Sequence, residues 1–222
     1  MAKSIFITAT GTDIGKTYTS ALIVKNIKDE GFNIGYYKAL LSGSDDIKDS
    51  DAWYVKEKAN LNDNYYDIVS YTYKNPYSPH LAAKIENNPP NLEIIKRDFN
   101  NISKKYDYMI VEGCGGIICP IRYEDNNKIF LEDIIINLEL PSIIVADSGL
   151  GTINSTILTI KYMQSKNLKI NGIILNKFDS SNIMHKDNLN MIEKISDIDV
   201  IAVIENGEFK KNKLNNLIDI FK

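Results

Sequence analysis

The 222-residue chain has only 2 cysteines, a formal net charge of -3, and no apolar run near the roughly 20 residues that cross a bilayer. Each shortage excludes something. Cys114 and Cys119 sit in Cys-Gly-Gly-Ile-Ile-Cys with no further Cys or His nearby, so the spacing of zinc and redox motifs is missing. Free thiols packed in an α/β turn are the expectation. With 26 Lys and Arg against 29 Asp and Glu, and no basic stripe, nucleic acid is not an expected partner. The opening Met1-Ala2-Lys3-Ser4-Ile5-Phe6-Ile7 enters a strand-like run at once, without signal-peptide layout, and no membrane partner is expected. No repeat of solenoid or propeller period occurs. What remains is a soluble, cytoplasmic α/β chain, with 1–222 expected to form a single domain around one sizeable core.

Short β-rich runs alternate with longer amphipathic stretches, which predicts a mostly parallel sheet with crossover helices on both faces. Most of the runs at 4–8, 33–38, 108–112, 142–146, 170–175 and 200–204 are nearly continuous in apolar residues, as strands buried on both faces require. Helical periods occupy about 16–30, 92–104, 152–165, 187–195 and 213–221. Residues 60–90, rich in Asn, Tyr and Pro, read as a loop-rich excursion with a short strand near 68–73. Its tyrosines (Tyr65, Tyr66 and those of 71–77) are expected to pack the excursion, since no basic groove accompanies them for base stacking. His80 reads as a loop-packing residue, and His185 has no assigned role.

The strongest chemical signal is Ile5-Phe6-Ile7-Thr8-Ala9-Thr10-Gly11-Thr12-Asp13-Ile14-Gly15-Lys16-Thr17. A strand runs into a glycine-containing turn and Gly-Lys-Thr opens a helix, the context of a phosphate-binding loop. Gly15 allows backbone N–H groups near phosphate, favoured by the positive helix end. Lys16 is placed for the β- and γ-phosphates, and the Thr17 hydroxyl for Mg²⁺. The fold class expected is therefore a three-layer α/β domain of the P-loop NTPase type. The loop is deviant: Thr10 stands where the first glycine belongs. Deviant loops of this kind resemble those of partitioning and cell-division ATPases, whose signature lysine would fall at Gly11. Its absence speaks against that branch.

Two further constellations follow. Tyr37-Lys38-Ala39-Leu40-Leu41-Ser42-Gly43-Ser44 places a lysine at a strand's carboxyl end, where such folds bind ligands, and Ser50-Asp51-Ala52 comes next. Alone, Lys38 could equally be solvated, and Asp51 reads as a helix cap. In Val111-Glu112-Gly113-Cys114-Gly115-Gly116 an apolar strand ends in a carboxylate and a flexible turn, where nucleotide-binding folds meet Mg²⁺.

In order and spacing these elements resemble the dethiobiotin synthetase family. Further matches are Ser78-Pro79-His80, Cys119-Pro120-Ile121, Leu150-Gly151-Thr152-Ile153-Asn154 and Gly172-Ile173-Ile174-Leu175-Asn176, so the resemblance spans roughly 3–180. It implies an ATP-dependent cyclo-ligase that joins CO₂ to the vicinal amines of 7,8-diaminononanoate through a carbamate and a carbamic-phosphoric anhydride. The products are a cyclic urea, ADP and phosphate. It implies Mg²⁺ bound by Thr17, Asp51 and Glu112, all oxygen donors as a hard cation prefers. Lys16 would serve the phosphates, Lys38 the carbamate and migrating phosphoryl group, and Thr12 and Ser42 the substrate. Nucleotide contacts are implied at Asp13, Ile14, Gly15, Lys16, Thr17 and Tyr18, and at Gly113, Cys114 and Gly115. On the adenine side they are implied at Asn176 and Glu205. Gly151 and Asn154 would receive the substrate's distal carboxylate from a neighbouring subunit, which implies a homodimer. Read without the resemblance, that segment is an ordinary helix cap.

Three departures stand out: Lys38-Ala39 for the family's Lys-Pro, Cys114 for its usual alanine, and Ile204-Glu205-Asn206 for a proline-containing turn near the adenine. Rival readings are a switch or partner-binding ATPase, which would not need Lys38 or Ser42, and a ligase of the cobyrinate diamide kind, which needs a glutaminase domain.

Overall fold

The alternation of apolar runs and amphipathic stretches becomes, in a computed structural model describing residues 1–222, one eight-stranded sheet clad by helices. The strands are β1 (Lys3–Ala9), β2 (Ile34–Ser42), β3 (Val69–Tyr73), β4 (Tyr108–Glu112), β5 (Pro120–Glu124), β6 (Asn127–Phe130), β7 (Ser142–Asp147), β8 (Ile170–Phe178), β9 (Val200–Glu205) and β10 (Glu208–Lys211). The helices are α1 (Lys16–Asp29), α2 (Asp51–Lys58), α3 (Tyr65–Ile68), α4 (Pro79–Ile85), α5 (Leu92–Ser103), α6 (Leu131–Leu138), α7 (Thr152–Ser165) and α8 (Ile183–Ser196).

The sheet order is β10-β9-β8-β7-β1-β4-β2-β3, parallel except for the antiparallel edge strand β10. β5 and β6 form a separate hairpin. Central strands are buried on both faces: Ile5, Phe6, Ile7, Ile110, Val111, Ile144 and Val145 are fully enclosed in a core of 57 residues. Right-handed crossovers set α1 and α2 together on one face, while α5 packs on α6 and α7 on α8 on the other. The order in which successive strands are added reverses around β1, so the carboxyl ends of β1, β4 and β2 open a crevice there. No helix is long and apolar enough to cross a membrane.

The expected strands all form, with two informative differences. β2 runs four residues past Lys38, to Ser42, because β3 pairs with its second half (Leu40 with Tyr71, Ser42 with Tyr73). Lys38 nevertheless lies level with the carboxyl end of β4, its register partner being Glu112. The helix expected at 213–221 does not form. Asn212 and Lys213 donate their N–H groups to Ile201 O, continuing the pairing of the β10 edge, and only a 3₁₀ turn at Leu217–Phe221 remains. Residues 60–90 carry more order than expected, since α3 and α4 flank the strand. Tyr65, Tyr71 and Tyr73 do pack there, but Tyr66 and Tyr77 are 73% and 48% exposed, a correction to the packing role expected of all of them. Tyr66 lies in the short helix α3 capped by Asn64, and Tyr77 precedes the Ser78 cap of α4.

Candidate active site

The loop between β1 and α1 is shaped by two left-handed residues, Asp13 (φ 59°) and Gly15 (φ 104°), the second serving as the cap of α1. A methyl group at Gly15 would meet Asn176 Nδ2 at 2.1 Å, so glycine is required by contact as well as by conformation. That amide donates 2.8 Å to Ile14 O, tying the loop to the end of β8. Asn176 is buried at 5% exposure and its amide is directed into the loop from below.

Lys16 and Thr17 open α1, and their side chains lead to the carboxylates. Lys16, 7% exposed, reaches Gly11 O at 3.4 Å. Burial pushes its ammonium below the usual lysine range, against the opposing field of Glu112. The Thr17 hydroxyl donates 2.8 Å to Glu112 Oε1. The same oxygen takes Lys38 Nζ at 2.7 Å, and Lys38 also reaches Asp51 Oδ2 at 2.6 Å. The Lys38 side chain is 3% exposed and that of Glu112 is fully enclosed, while Asp51 remains 49% exposed at the crevice. Burial alone would lower the Lys38 pKa, but Glu112 and then Asp51 hold it above the usual range. For Asp51, burial would raise the carboxyl and the Lys38 ammonium brings it lower than usual.

Local sequence explains how these groups meet. Ser50, not Asp51, caps α2, its side chain accepting from Trp53 N at 3.1 Å. That frees the Asp51 carboxylate to turn to Lys38, which corrects the helix-cap reading. Gly113 lets the chain leave β4 beneath Phe6, where a methyl group would lie 2.8 Å from the ring. Glu112 is thereby held between β1 and β2. Its second oxygen accepts 2.9 Å from the hydroxyl of Tyr36, a residue the sequence reading missed. Burial first, then the field of Glu112, keeps the Tyr36 phenol well above its ordinary range, so it remains a donor. The signal available was strand alternation: Tyr36 shares a face of β2 with Lys38.

A crevice of ≈ 930 Å³ opens above these groups. Thr12, Asp13, Gly15, Lys16, Thr17 and Tyr18 form one wall. Lys38, Ser42 and Asp51 form another, and Cys114, Gly115 and Cys119 the base. Ser42 Oγ is buried without a protein partner. Pro76, Tyr77, Ser78 and Pro79 also line the crevice, although Tyr77 was expected only to pack the excursion. His80 lies behind them in α4, its Nδ1 3.1 Å from Ser78 Oγ. Both cysteines are free thiols.

Four of the expected residues, Glu205, Asn176, Gly151 and Asn154, lie away from this cluster. Glu205 pairs with Lys210 at 2.6 Å and accepts from Ser180 N, contacts that hold its carboxyl down to about 2. Tyr18, on the crevice wall, also touches the region of Glu205, donating 3.1 Å to Gly207 O in the turn after β9. Asn176 stands beneath the loop rather than on the crevice wall. At the start of α7, Gly151 (φ 89°) serves as the cap and Asn154 is exposed; neither lines its own chain's crevice.

The donor set can be tested against a metal. Thr17, Asp51 and Glu112 supply hard oxygens, two of them already gathered around one ammonium within 2.7 Å. A hydroxyl and two carboxylates of this kind fit Mg²⁺ rather than a soft metal.

Against known proteins, residues 3–211 match a family model described as an AAA domain. Among solved structures, the MinC:MinD cell division complex of Aquifex aeolicus aligns with 99% of this chain and 85% of its own, at TM-score 0.56 and 16% identity. A ParA family ATPase from Chlorobium tepidum aligns with 92% of this chain and 85% of its own, at TM-score 0.53 and 16% identity. At such identities the likeness concerns the fold alone. An ATP-dependent dethiobiotin synthetase of Brachyspira hyodysenteriae is 65% identical over 215 residues, covering 97% of each chain. One from Clostridium perfringens is 44% identical, covering 99% of this chain and 98% of its own. With the loop, the buried lysine and the carboxylate pair in place, the chain belongs to the ATP-dependent dethiobiotin synthetase family.

Proposed function

We propose that the chain carboxylates 7,8-diaminononanoate with CO₂ at the expense of ATP, closing a ureido ring and releasing ADP and phosphate. The observation that carries this at the level of the site is the Lys38 ammonium, enclosed between Asp51 and Glu112 beside the phosphate loop. A switch ATPase needs no such lysine. Carbamate and ATP are both anionic, so bringing them together requires fixed positive charge in a water-poor site. Lys16 supplies it toward the phosphates, where the α1 N-terminus adds its own. Lys38 supplies it toward the carbamate and the phosphoryl group in transit. Thr12 and Ser42 orient the substrate from the two walls, supported by the unpaired Ser42 hydroxyl. Ring closure then rests on orientation, since the second amine is tethered to the carbamic-phosphoric anhydride.

Thr17, Asp51 and Glu112 would hold Mg²⁺. Bound there, the ion would supply positive charge to the nucleotide's phosphates. The nucleotide lies along Asp13 to Tyr18 and over Gly113, Cys114 and Gly115, with Asn176 and Glu205 on the adenine side. For Asn176 this role is shared with holding Ile14, and for Glu205 it runs through Ser180 and the 205–207 turn. Gly151 and Asn154 serve a neighbouring subunit's crevice in a homodimer, in keeping with their position away from their own. The whole of 1–222 works as one ATP-binding domain in the cytoplasm, supported by its continuous core. The test is phosphate release from Mg²⁺-ATP with bicarbonate: it should require the diamine and yield one cyclic urea per phosphate. Diamine-independent hydrolysis would contradict it.

A further inference from the structure

Glu112 is the most deeply buried carboxylate of the site, yet three donors compete for its two oxygens. They are not shared evenly. Oε1 takes Thr17 Oγ1 and Lys38 Nζ, the groups that face the crevice. Oε2 takes one partner, the Tyr36 hydroxyl at 2.9 Å, and Tyr36 is itself fully enclosed. The division is built into the sheet. In the β2–β4 register Tyr36 lies opposite Ile110 and Lys38 opposite Glu112, so both side chains rise on one face and bracket the carboxylate. Tyr37, between them, points to the other face, where its hydroxyl meets Ser70 Oγ at 2.6 Å and Ile95 O at 3.1 Å.

A carboxylate free to rotate would present either oxygen, or both, to a cation. One whose Oε2 is held from behind presents Oε1 alone, in a fixed direction. We infer that Tyr36 is a positioning residue for the divalent cation: its hydroxyl holds Glu112 Oε2 so that Oε1 stays aimed at the Thr17–Asp51 side of the crevice. The inference rests on the reading of Thr17, Asp51 and Glu112 as the cation's ligands, and adds a residue that touches neither substrate nor metal. Outer partners of metal ligands typically account for about 10–100-fold in metal affinity.

The test is Mn²⁺ binding to the protein–ADP complex, followed by electron paramagnetic resonance, for wild type, Y36F, Y37F and E112Q. ADP binding in EDTA reports that each variant is folded. Y36F should weaken Mn²⁺ by roughly 10-fold or more, and Y37F should leave it near wild type. In turnover, Y36F should raise the Mg²⁺ concentration needed for half-maximal rate while kcat at saturating Mg²⁺ recovers to near the wild-type value, a split that general loosening of the core does not produce. Wild-type Mn²⁺ affinity in Y36F, with E112Q weakened, overturns the inference and leaves the ligand assignment standing. Equal weakening in Y36F and Y37F also overturns it. Unchanged affinity in both Y36F and E112Q removes the ligand reading and the inference together.

Discussion

The buried charge cluster at the crevice and the start of α7 make opposite use of their residues. In that cluster Lys16, Lys38 and Glu112 are all under a tenth exposed; Lys38 of β2 pairs with Glu112 of β4, and Lys16 reaches Gly11 O in the loop before α1. At the start of α7, Leu150 is 94% exposed and Leu158 62%, and Asn154 points to solvent beside a helix N-terminus with no partner of its own. The buried charges are compensated within one chain; on the proposed reading, the α7 segment serves a second subunit. Buried charge demands local compensation because desolvation is costly, so the reacting end of the site is built by the fold itself. The segment proposed to receive the substrate's distal carboxylate carries no such demand, and an exposed helix start would serve a second subunit at little cost to its own.

That contrast orders the expected effects. Lys38→Met should be the most severe. It leaves two carboxylates facing one another without their cation, which costs about 3 kcal/mol of stability and lowers kcat by roughly 10³-fold. Thermal melting with and without Mg²⁺ checks the first part: added Mg²⁺ should stabilise the variant more than the wild type, since it replaces the missing charge. Equal Mg²⁺ stabilisation would show that Lys38 is not the counterion of that pair.

Next comes the carboxylate pair itself. Glu112→Gln should raise the Mg²⁺ requirement by about 100-fold. Asp51→Asn should do so less, because Asp51 is 49% exposed and its place can be taken by water. The reverse ranking in Mg²⁺ titrations would place the metal nearer α2 than β4. On the other side of the comparison, Asn154→Ala and Leu158→Lys should leave ATP binding intact and raise KM for the diamine by about 10-fold, about 1.4 kcal/mol. Leu158→Lys should also shift the protein toward monomer in sedimentation, with folding stability changed by about 0.5 kcal/mol or less. A monomeric wild type with full diamine affinity would end the shared-site account. The smallest effect expected is at Asn176→Ala, where loss of one hydrogen bond to Ile14 O is worth about 1 kcal/mol, read as a several-fold rise in KM for ATP.

The two regions were also unequally legible in the sequence. Strands buried on both faces announce themselves as apolar runs, and Gly-Lys-Thr after a strand fixes the phosphate loop with no tertiary information. Lys38, Asp51 and Glu112 could be proposed only through their joint order along the chain. What the sequence does not express is the register that sets Lys38 beside Glu112, or the Ser50 cap that frees Asp51. Short helices were harder still. α6 buries Leu131, Ile134, Ile135 and Leu138, a sound helical spacing, yet its eight residues lack a conventional cap; Asp133 accepts from Phe130 N at 2.7 Å instead. The tail misled in the other direction, because backbone pairing of Asn212 and Lys213 with Ile201 outweighs a local helical period. Tyr36 stayed hidden since a tyrosine in an apolar strand looks like core, and only its hydroxyl partner distinguishes it.

The most direct test of the central claim is phosphate release from Mg²⁺-ATP with bicarbonate, measured with and without 7,8-diaminononanoate and paired with quantitation of the cyclic urea. The account predicts release that depends on the diamine, with one ureido product per phosphate, and its loss in Lys38→Met. Hydrolysis at the same rate without diamine, or phosphate released with no urea formed, would contradict it.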